Sequence, residues 1–529
     1  MDRKSIIRVL GDIAILLEIK GENPFKVRAY QNGARILETM EDFEERLETD
    51  TLAEVPGLGK ALCEKISTLH LTGELEYFEK LRASVPPGLL DMLEIPGLGG
   101  KKIKALRDAL GLETVEDLQN ACKLGQVAEL KGFGPTSQEN ILAGIENRER
   151  YNARHLWWTA REVALPILAS LRALPEVELA EVAGSFRRRM ETVGDLDFIA
   201  ASSKPGPVMD FFVSMEDVSE VTSRGETKAS VRLSSGMQSD LRVVPRKQFY
   251  FTLHHFTGSK DHNVQLRQRA LSQGLSLSEW GLVVAKGAAP GLKPPVIITG
   301  EEELFDHLGL AYVPPELREG RGEIEAAEKG KLPTLFQLAD LRGVFHCHTI
   351  ASDGSDQVDD LLSVADACQW EYLGISDHSK ASFQANGLDE DRLSKQIAEI
   401  AEINKSGKFR AHAFTGIECD VLPDGNLDLS DDILGRLDYV IVSVHSSFTQ
   451  SKEEMTARIV KALEHPYATM LGHLSGRLLL RREPYAVDVD KVIDAAAANG
   501  KVIEINANPM RLDMDWRHWR KATEKGVLA

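Results

Sequence analysis

Thiol chemistry is nearly absent from this chain. Its five cysteines, Cys63, Cys122, Cys347, Cys368 and Cys419, are scattered through 529 residues without one CxxC pair. That spacing excludes a disulfide framework and a thiolate zinc site, and it predicts a reducing, cytoplasmic compartment. Long apolar runs are missing too. Nothing approaches the roughly 20 residues a membrane-spanning helix needs, and the charged start "MDRKSIIRVLGD" lacks the apolar centre of a signal peptide. A soluble protein without a membrane partner is expected. Positive charge is in deficit, since 63 Lys and Arg face 81 Asp and Glu for a net charge of −18. Alone, that balance speaks against nucleic acid, but a basic face on one domain outweighs global charge locally, so motifs decide. What the chain does have is length and apolar content: 43% hydrophobic residues over 529 positions suffice for three or four packed domains.

Texture divides the chain. Residues 1–82 and 83–152 read as short helices and turns, and the first contains "IRVLGDIAILLEI", apolar at helical spacing. Residues 153–245 are β-rich ("VELAEVAGSF", "DLDFIAA", "KASVRL", "SDLRVV"), and 246–313 form a further, partly helical domain. The polar, Pro-containing segment 314–340 reads as a linker. In 341–529, short strands ("YLGISDH", "YVIVSVH", "KVIEIN") alternate with helices, the signature of a β/α barrel.

One pattern occurs three times in the helical part: "EVPGLGKALCEKI", "EIPGLGGKKIKAL" and "ELKGFGPTSQENIL". Each puts Gly-x-Gly (Gly57 and Gly59, Gly97 and Gly99, Gly132 and Gly134) ahead of a helix, so bare backbone amides can approach a phosphate oxygen. Lys60, Lys101 and Lys102 follow directly. This reads as helix-hairpin-helix binding of a nucleic-acid backbone without sequence preference; the alternative is ordinary αα-hairpins.

In "AGSFRRRMETVGDLDFIA", Asp195 and Asp197 stand two apart on an apolar strand and share a face. Adjacent carboxylates repel unless cations intervene, and hard oxygen ligands suit Mg²⁺ or Mn²⁺, a pair of which can clamp an in-line phosphoryl displacement. Asp240, on another predicted strand, can complete the triad. Upstream, Gly184 and Ser185 lie in a turn that should start a helix and receive phosphate, and Arg188 offers a fork of donors for triphosphate oxygens.

A second cluster lies in the C-terminal part. His346, His348 and Asp353 fall in "VFHCHTIASDG", His378 ends "YLGISDH", Glu418 lies in "FTGIECD", His445 ends "YVIVSVH" and His473 lies in "MLGHLSG". Each sits at or just after the carboxyl end of a predicted strand, the rim where a β/α barrel gathers its active site. Imidazole and carboxylate without thiolate suit Zn²⁺, Mn²⁺ or Fe²⁺ in a hydrolytic site.

Taken in order, the glycine hairpins, Gly-Ser ahead of Asp-x-Asp, the third Asp and "HHFTGSKDHNVQLR" resemble the DNA polymerase beta-like family X, and the C-terminal third resembles a PHP domain, so nearly the whole chain is similar to a bacterial-type family X polymerase. The fold implied is multidomain: α-helical helix-hairpin-helix N-terminal domains (1–82 lyase-like, 83–152 fingers), an α/β nucleotidyltransferase palm (153–245) and thumb (246–313), and a C-terminal β/α PHP barrel (341–529). The resemblance implies that Asp195, Asp197 and Asp240 hold two ions and that Asp240 activates the primer 3′-hydroxyl. Gly184, Ser185, Arg188, Phe256, Gly258, Asn263 and Arg267 match nucleotide-binding positions. His255 stands where the family commonly has tyrosine near the sugar, so ribonucleotide rejection is not carried over. Lys65 matches a Schiff-base amine for abasic-site lyase chemistry and Lys26 a 5′-phosphate contact, a solvated lysine being the alternative for Lys65.

The seven strand-end residues match positions that bind a three-metal cluster, which implies metal-assisted hydrolysis at DNA 3′ ends, 3′→5′ exonuclease activity and abasic-site cleavage. The family pattern continues beyond Ala529 to an Asp-x-His; the expectation is therefore a fragment, with an incomplete nuclease barrel as the alternative. In either case the pairs Asp353/His378 and His346/His348 would each lack a partner ligand, while Glu418, His445 and His473 would stay together. The function implied is gap-filling DNA repair by a monomer acting on gapped or nicked DNA with dNTPs. The rival readings are a DNA-end-binding scaffold without activity and a PHP module acting as a small-molecule phosphatase.

Overall fold

A computed structural model describes residues 1–38, 40, 43–49, 51–95, 97–152, 154–288, 291–294 and 297–529; Pro96 of the second glycine turn and Ala153, where the expected palm begins, lie outside them. The chain folds as two units, Met1–Ala153 and Arg154–Ala529. In the first, Asp2 accepts a hydrogen bond from the Ser5 amide and opens the helix Arg3–Lys20, which stops where Gly21 turns left-handed (φ 70°). Ile6, Leu10, Ile13 and Leu17, spaced four, three and four apart, form one fully buried stripe. Each such side chain contributes about 1.5–3 kcal/mol. Helices Pro24–Glu38, Lys60–Thr72, Glu76–Ala83, Gly100–Leu110, Val115–Lys123 and Pro135–Asn152 follow, and most of them pack around the same core.

The second unit begins with a five-stranded sheet ordered Leu179–Val182, Asp195–Ala201, Gln238–Val244, Lys228–Leu233, Val218–Arg224. Only the Asp195–Ala201 and Gln238–Val244 pair runs parallel, with Asp197 opposite Asp240. Leu196, Phe198 and Ala200 point into a core with the helices Trp157–Ala173 and Pro205–Val213. Ile199, Ala201 and Val244 point the other way, against Phe249 and Leu253 of the helix Phe249–Thr257. By strand alternation Asp195, Asp197 and Asp240 lie on this second face, ahead of the helix that covers it.

Next come the helix Lys260–Ser272 and a hairpin, Leu275–Ser278 with Gly281–Val284. The first half of the segment expected as a linker is packed rather than free. Arg318 is fully buried, donating to the Val313 carbonyl at 2.9 Å and pairing with Glu301, and Glu323 pairs with buried His262 at 2.7 Å. Residues 331–342 are mostly exposed.

Six parallel strands follow in chain order: Gly343–Cys347, Tyr372–Ile375, His412–Asp420, Tyr439–Ser443, Met470–Leu471 and Val502–Ile503. Each pairs with the next, the winding of a β/α barrel. Helices Val358–Ala367, Glu390–Ser406, Lys452–Leu463 and Val489–Ala498 connect them, and their apolar faces join the strands in two cores. All carboxyl ends of the strands therefore open on one rim.

Candidate functional site

The parallel register puts the three palm carboxylates on neighbouring strands. Asp195 stands at the open start of its strand and Asp197 one pleat deeper. Burial and then the charge of Asp240 raise the Asp195 pKa, while burial, Asp195 and Asp240 push Asp197 up to about 7. Three carboxylates so placed ask for cations. One already stands there, since the Lys228 ammonium lies 2.8 Å from Asp240 Oδ2, while Asp240 Oδ1 is buried without a partner. An all-oxygen donor set with a stand-in cation and an orphaned buried oxygen fits divalent ions of the Mg²⁺ or Mn²⁺ kind.

Gly184, at φ +64°, comes so close that a Cβ would lie 2.8 Å from Asp197 Oδ2. It opens the short helix Gly184–Arg187, where Ser185 is half-buried. Arg188 is engaged elsewhere: its Nε lies 2.5 Å from Glu319 and its Nη1 donates to the Thr257 carbonyl at 2.8 Å. Asn263 donates to the carbonyls of His255 (2.8 Å) and Gly258 (3.1 Å). Arg267 Nη2 lies 3.0 Å from His255 Nδ1, and the Arg242 guanidinium sits 4.3 Å over the Phe256 ring. The FTGS residues thus form one packed knot through backbone carbonyls.

In the first unit, the three glycine turns share one conformation, with φ of +96° at Gly57, +83° at Gly97 and +91° at Gly132. Gly59 and Gly99 cap the helices Lys60–Thr72 and Gly100–Leu110, and Gly134 precedes Pro135–Asn152. Lys60, Lys101 and Lys102 are exposed on the first helical turns, with Lys102 donating to the Gly97 carbonyl at 2.9 Å. Lys26 and Lys65 converge on Tyr77, 5.7 and 5.2 Å from its ring centre. A hydrogen bond with Tyr77 holds the Lys26 pKa up.

The seven C-terminal residues meet on the barrel rim, with Glu418 at their centre. Its carboxylate is 1% exposed and lies 3.1 Å from His346, 3.4 Å from His348, 2.9 Å from His378, 3.2 Å from His445 and 2.9 Å from His473. Asp353 lies 2.8 Å from His348 and 3.6 Å from His378. Three groups converge closely enough to hold an ion: His346, Glu418 and His473; His348, Asp353 and His378; and His378, Glu418 and His445. This partition differs from the expected one: His346 and His348 fall in different groups, and Glu418 and His445 meet in a group with His378 rather than with His473.

Burial depresses each imidazole, yet the carboxylates prevail. Glu418 and Glu504 raise His346 to about 10; Asp353 and Glu418 raise His348 and His378 to about 9; Glu418 and Asp420 raise His445 to about 9. Only His473 is lowered, by burial. Glu418 is driven well below its ordinary value despite burial, by His346 and His445. So much proton affinity around one carboxylate is what a cluster of divalent ions replaces, and the imidazole and carboxylate donors fit Zn²⁺, Mn²⁺ or Fe²⁺.

Two contributors escaped the sequence reading. Glu504 pairs with His346 Nδ1 and accepts the His473 amide at 2.6 Å. It directly follows Val502–Ile503, so the strand-end rule that singled out the others points to it equally. Asp420, two residues beyond Glu418, lies 3.1 Å from His445 Nδ1 and orients that ring.

Family models match along the chain: a helix-hairpin-helix domain over residues 1–75, a SAM-like helix-hairpin-helix tandem over 89–147, a DNA polymerase beta thumb over 252–319 and a PHP domain over 345–508. The DNA polymerase/3′-5′ exonuclease PolX of Bacillus subtilis (strain 168) is 37% identical over 530 residues, spanning all of this chain and 91% of that one. DNA polymerase lambda of Rattus norvegicus is 27% identical over 288 residues, half of this chain and 48% of its own. A probable phosphatase of Acetivibrio thermocellus is 30% identical over 165 residues, 30% of this chain and 63% of its own.

Proposed function

This chain belongs to the family X DNA polymerases that carry a C-terminal PHP domain, and from that premise we propose that it fills gaps during DNA repair and trims 3′ ends as a 3′→5′ exonuclease. The substrates are gapped or nicked DNA and dNTPs, bound by a monomer in the cytoplasm. Among the described residues no helix is long and apolar enough to cross a membrane.

In the polymerase site, Asp195, Asp197 and Asp240 hold Mg²⁺ or Mn²⁺. The observation that carries this reading is the parallel register placing Asp197 beside Asp240. Asp240 takes the proton of the primer 3′-hydroxyl. Gly184 and Ser185 offer amides to the triphosphate, and Arg188 turns to it by exchanging Glu319 for phosphate. Phe256, Gly258, Asn263 and Arg267 shape the pocket of the nascent base pair, with His255 beside the sugar. The hairpin glycines and Lys60, Lys101 and Lys102 hold the DNA backbone. Lys26 takes a 5′-phosphate, and Lys65 the abasic aldehyde.

In the PHP site, His346, His348, Asp353, His378, Glu418, His445 and His473 hold Zn²⁺ or Mn²⁺, with Fe²⁺ also suited, and Glu504 joins them. Bound divalent ions supply charge neutralisation at the transferred phosphate and activation of the attacking oxygen in both sites. Abasic-site cleavage falls within the same hydrolytic chemistry.

Single-turnover extension of a gapped duplex with Mg²⁺ tests the polymerase assignment: Asp197→Ala should abolish the product, and undiminished extension would overturn it. The likeness to a probable phosphatase favours a second reading for the PHP site, as a small-molecule phosphatase. Competition between labelled DNA 3′ ends and a simple phosphomonoester separates the two, since hydrolysis indifferent to DNA would support the second.

A further inference from the structure

Glu191 lies in the loop joining the Gly-Ser turn to the aspartate strand, four residues before Asp195, yet its partners lie in the PHP domain. Its Oε1 is 2.8 Å from Arg517 Nη1, a contact spanning 326 residues of sequence, and 3.8 Å from Arg477 Nη2. Asp515 completes the cluster, 2.7 Å from Arg477 and 2.9 Å from Arg517. Two carboxylates and two guanidiniums thus balance in a partly buried seam, Glu191 and Arg477 inside it and Arg517 at its open edge. On its other side the loop is tied to the segment ahead of the first palm helix. The Trp157 amide donates to the Glu191 carbonyl at 3.1 Å, Thr192–Val193 pairs with His155–Leu156, and Arg154 donates to the Thr192 hydroxyl at 2.8 Å and its carbonyl at 2.6 Å. Arg477 is tied in turn to the loop after Glu504, its Nε donating at 2.9 Å to the carbonyl of Arg511.

We propose that Glu191 is a positioning residue through which the PHP domain sets the loop that delivers Asp195 to the polymerase site. Nucleotide addition therefore depends on a side chain that touches neither nucleotide nor metal. The inference rests on the reading of the palm aspartates as the polymerase centre. Without the Glu191 charge, two guanidiniums face Asp515 alone and the loop loses its anchor on the PHP side.

The test measures single-turnover dNTP addition to gapped DNA against Mg²⁺ concentration in the full chain, for Glu191→Gln, Arg517→Ala and the charge-keeping Arg517→Lys. Glu191→Gln and Arg517→Ala should add dNTP about ten-fold more slowly and need more Mg²⁺, the cost of removing a group that supports a metal ligand. Their apparent dNTP affinity should stay within about two-fold of wild type. Arg517→Lys, which keeps the cation beside Glu191 and Asp515, should retain most of the wild-type rate. Wild-type rates in Glu191→Gln and Arg517→Ala, or an Arg517→Lys as slow as Arg517→Ala, would overturn the proposal. Undiminished addition by Asp197→Ala would overturn the polymerase reading beneath it instead.

Discussion

Replacing Glu418 by glutamine keeps the shape of the side chain and removes one charge from the middle of the PHP cluster. In the native protein that carboxylate lies within 3.4 Å of five imidazoles and belongs to two of the three groups able to hold an ion. Glutamine would turn an amide donor towards rings that need an acceptor. Altering a mere supporting group of a metal ligand costs about 10–100-fold in affinity; a ligand shared by two groups should cost at least about 100-fold, or about 2.8 kcal/mol. Metal content after dialysis, measured by inductively coupled plasma mass spectrometry, should fall in Glu418→Gln by more than in Asp353→Asn, which disturbs only the group with His348 and His378. Removal of labelled 3′ nucleotides should be lost in parallel, while gap filling in the same preparation continues. Wild-type metal content and hydrolysis in Glu418→Gln would refute the role of the carboxylate as hub.

Gly184→Ala combines a left-handed backbone with a Cβ 2.8 Å from Asp197 Oδ2; the displaced carboxylate should lower the rate of nucleotide addition by about 100-fold in pre-steady-state assays, with hydrolysis retained. Arg318→Ala should destabilise the thumb by about 3–5 kcal/mol in urea titrations, because it leaves buried Glu301 with Arg187 alone. Burial would raise the Glu301 carboxyl, but Arg318 and Arg187 outweigh it and hold it below its ordinary value. A depressed folded pKa stabilises above the unfolded value, about 4.3 for Glu, and that contribution disappears as pH falls through the folded pKa. Urea midpoints measured from pH 6 downward should therefore drop less steeply in Glu301→Gln than in wild type.

Local spacing made much of this architecture legible. The Asp195/Asp197 interval fixes a shared strand face whatever the surrounding fold, and Gly-x-Gly ahead of a helix implies the left-handed turn found at Gly57, Gly97 and Gly132. Strand-end placement exposed the histidine cluster for the same reason: in a parallel β/α winding those ends must gather on one rim. What stayed hidden depends on pairing across long stretches of chain. Arg318 and Glu323 look like linker residues in composition, and their burial depends on partners that composition does not show: Glu301 and the Val313 carbonyl for Arg318, and His262 with the Gly320 and Arg321 amides for Glu323. Arg188 reads as a free phosphate ligand until Glu319 is found beside it. Glu191 carries no local signal, because its partner lies in another domain. Glu504 was legible in principle but is outnumbered by the histidines around it.

Two separate sites on one chain build and remove DNA 3′ ends, so both reactions can be followed on one labelled gapped duplex with wild type, Asp197→Ala and Glu418→Gln. The losses should be reciprocal: Asp197→Ala should trim without extending, and Glu418→Gln should extend without trimming. Trimming that survives Glu418→Gln, or extension that survives Asp197→Ala, would refute the division of the two reactions between these sites.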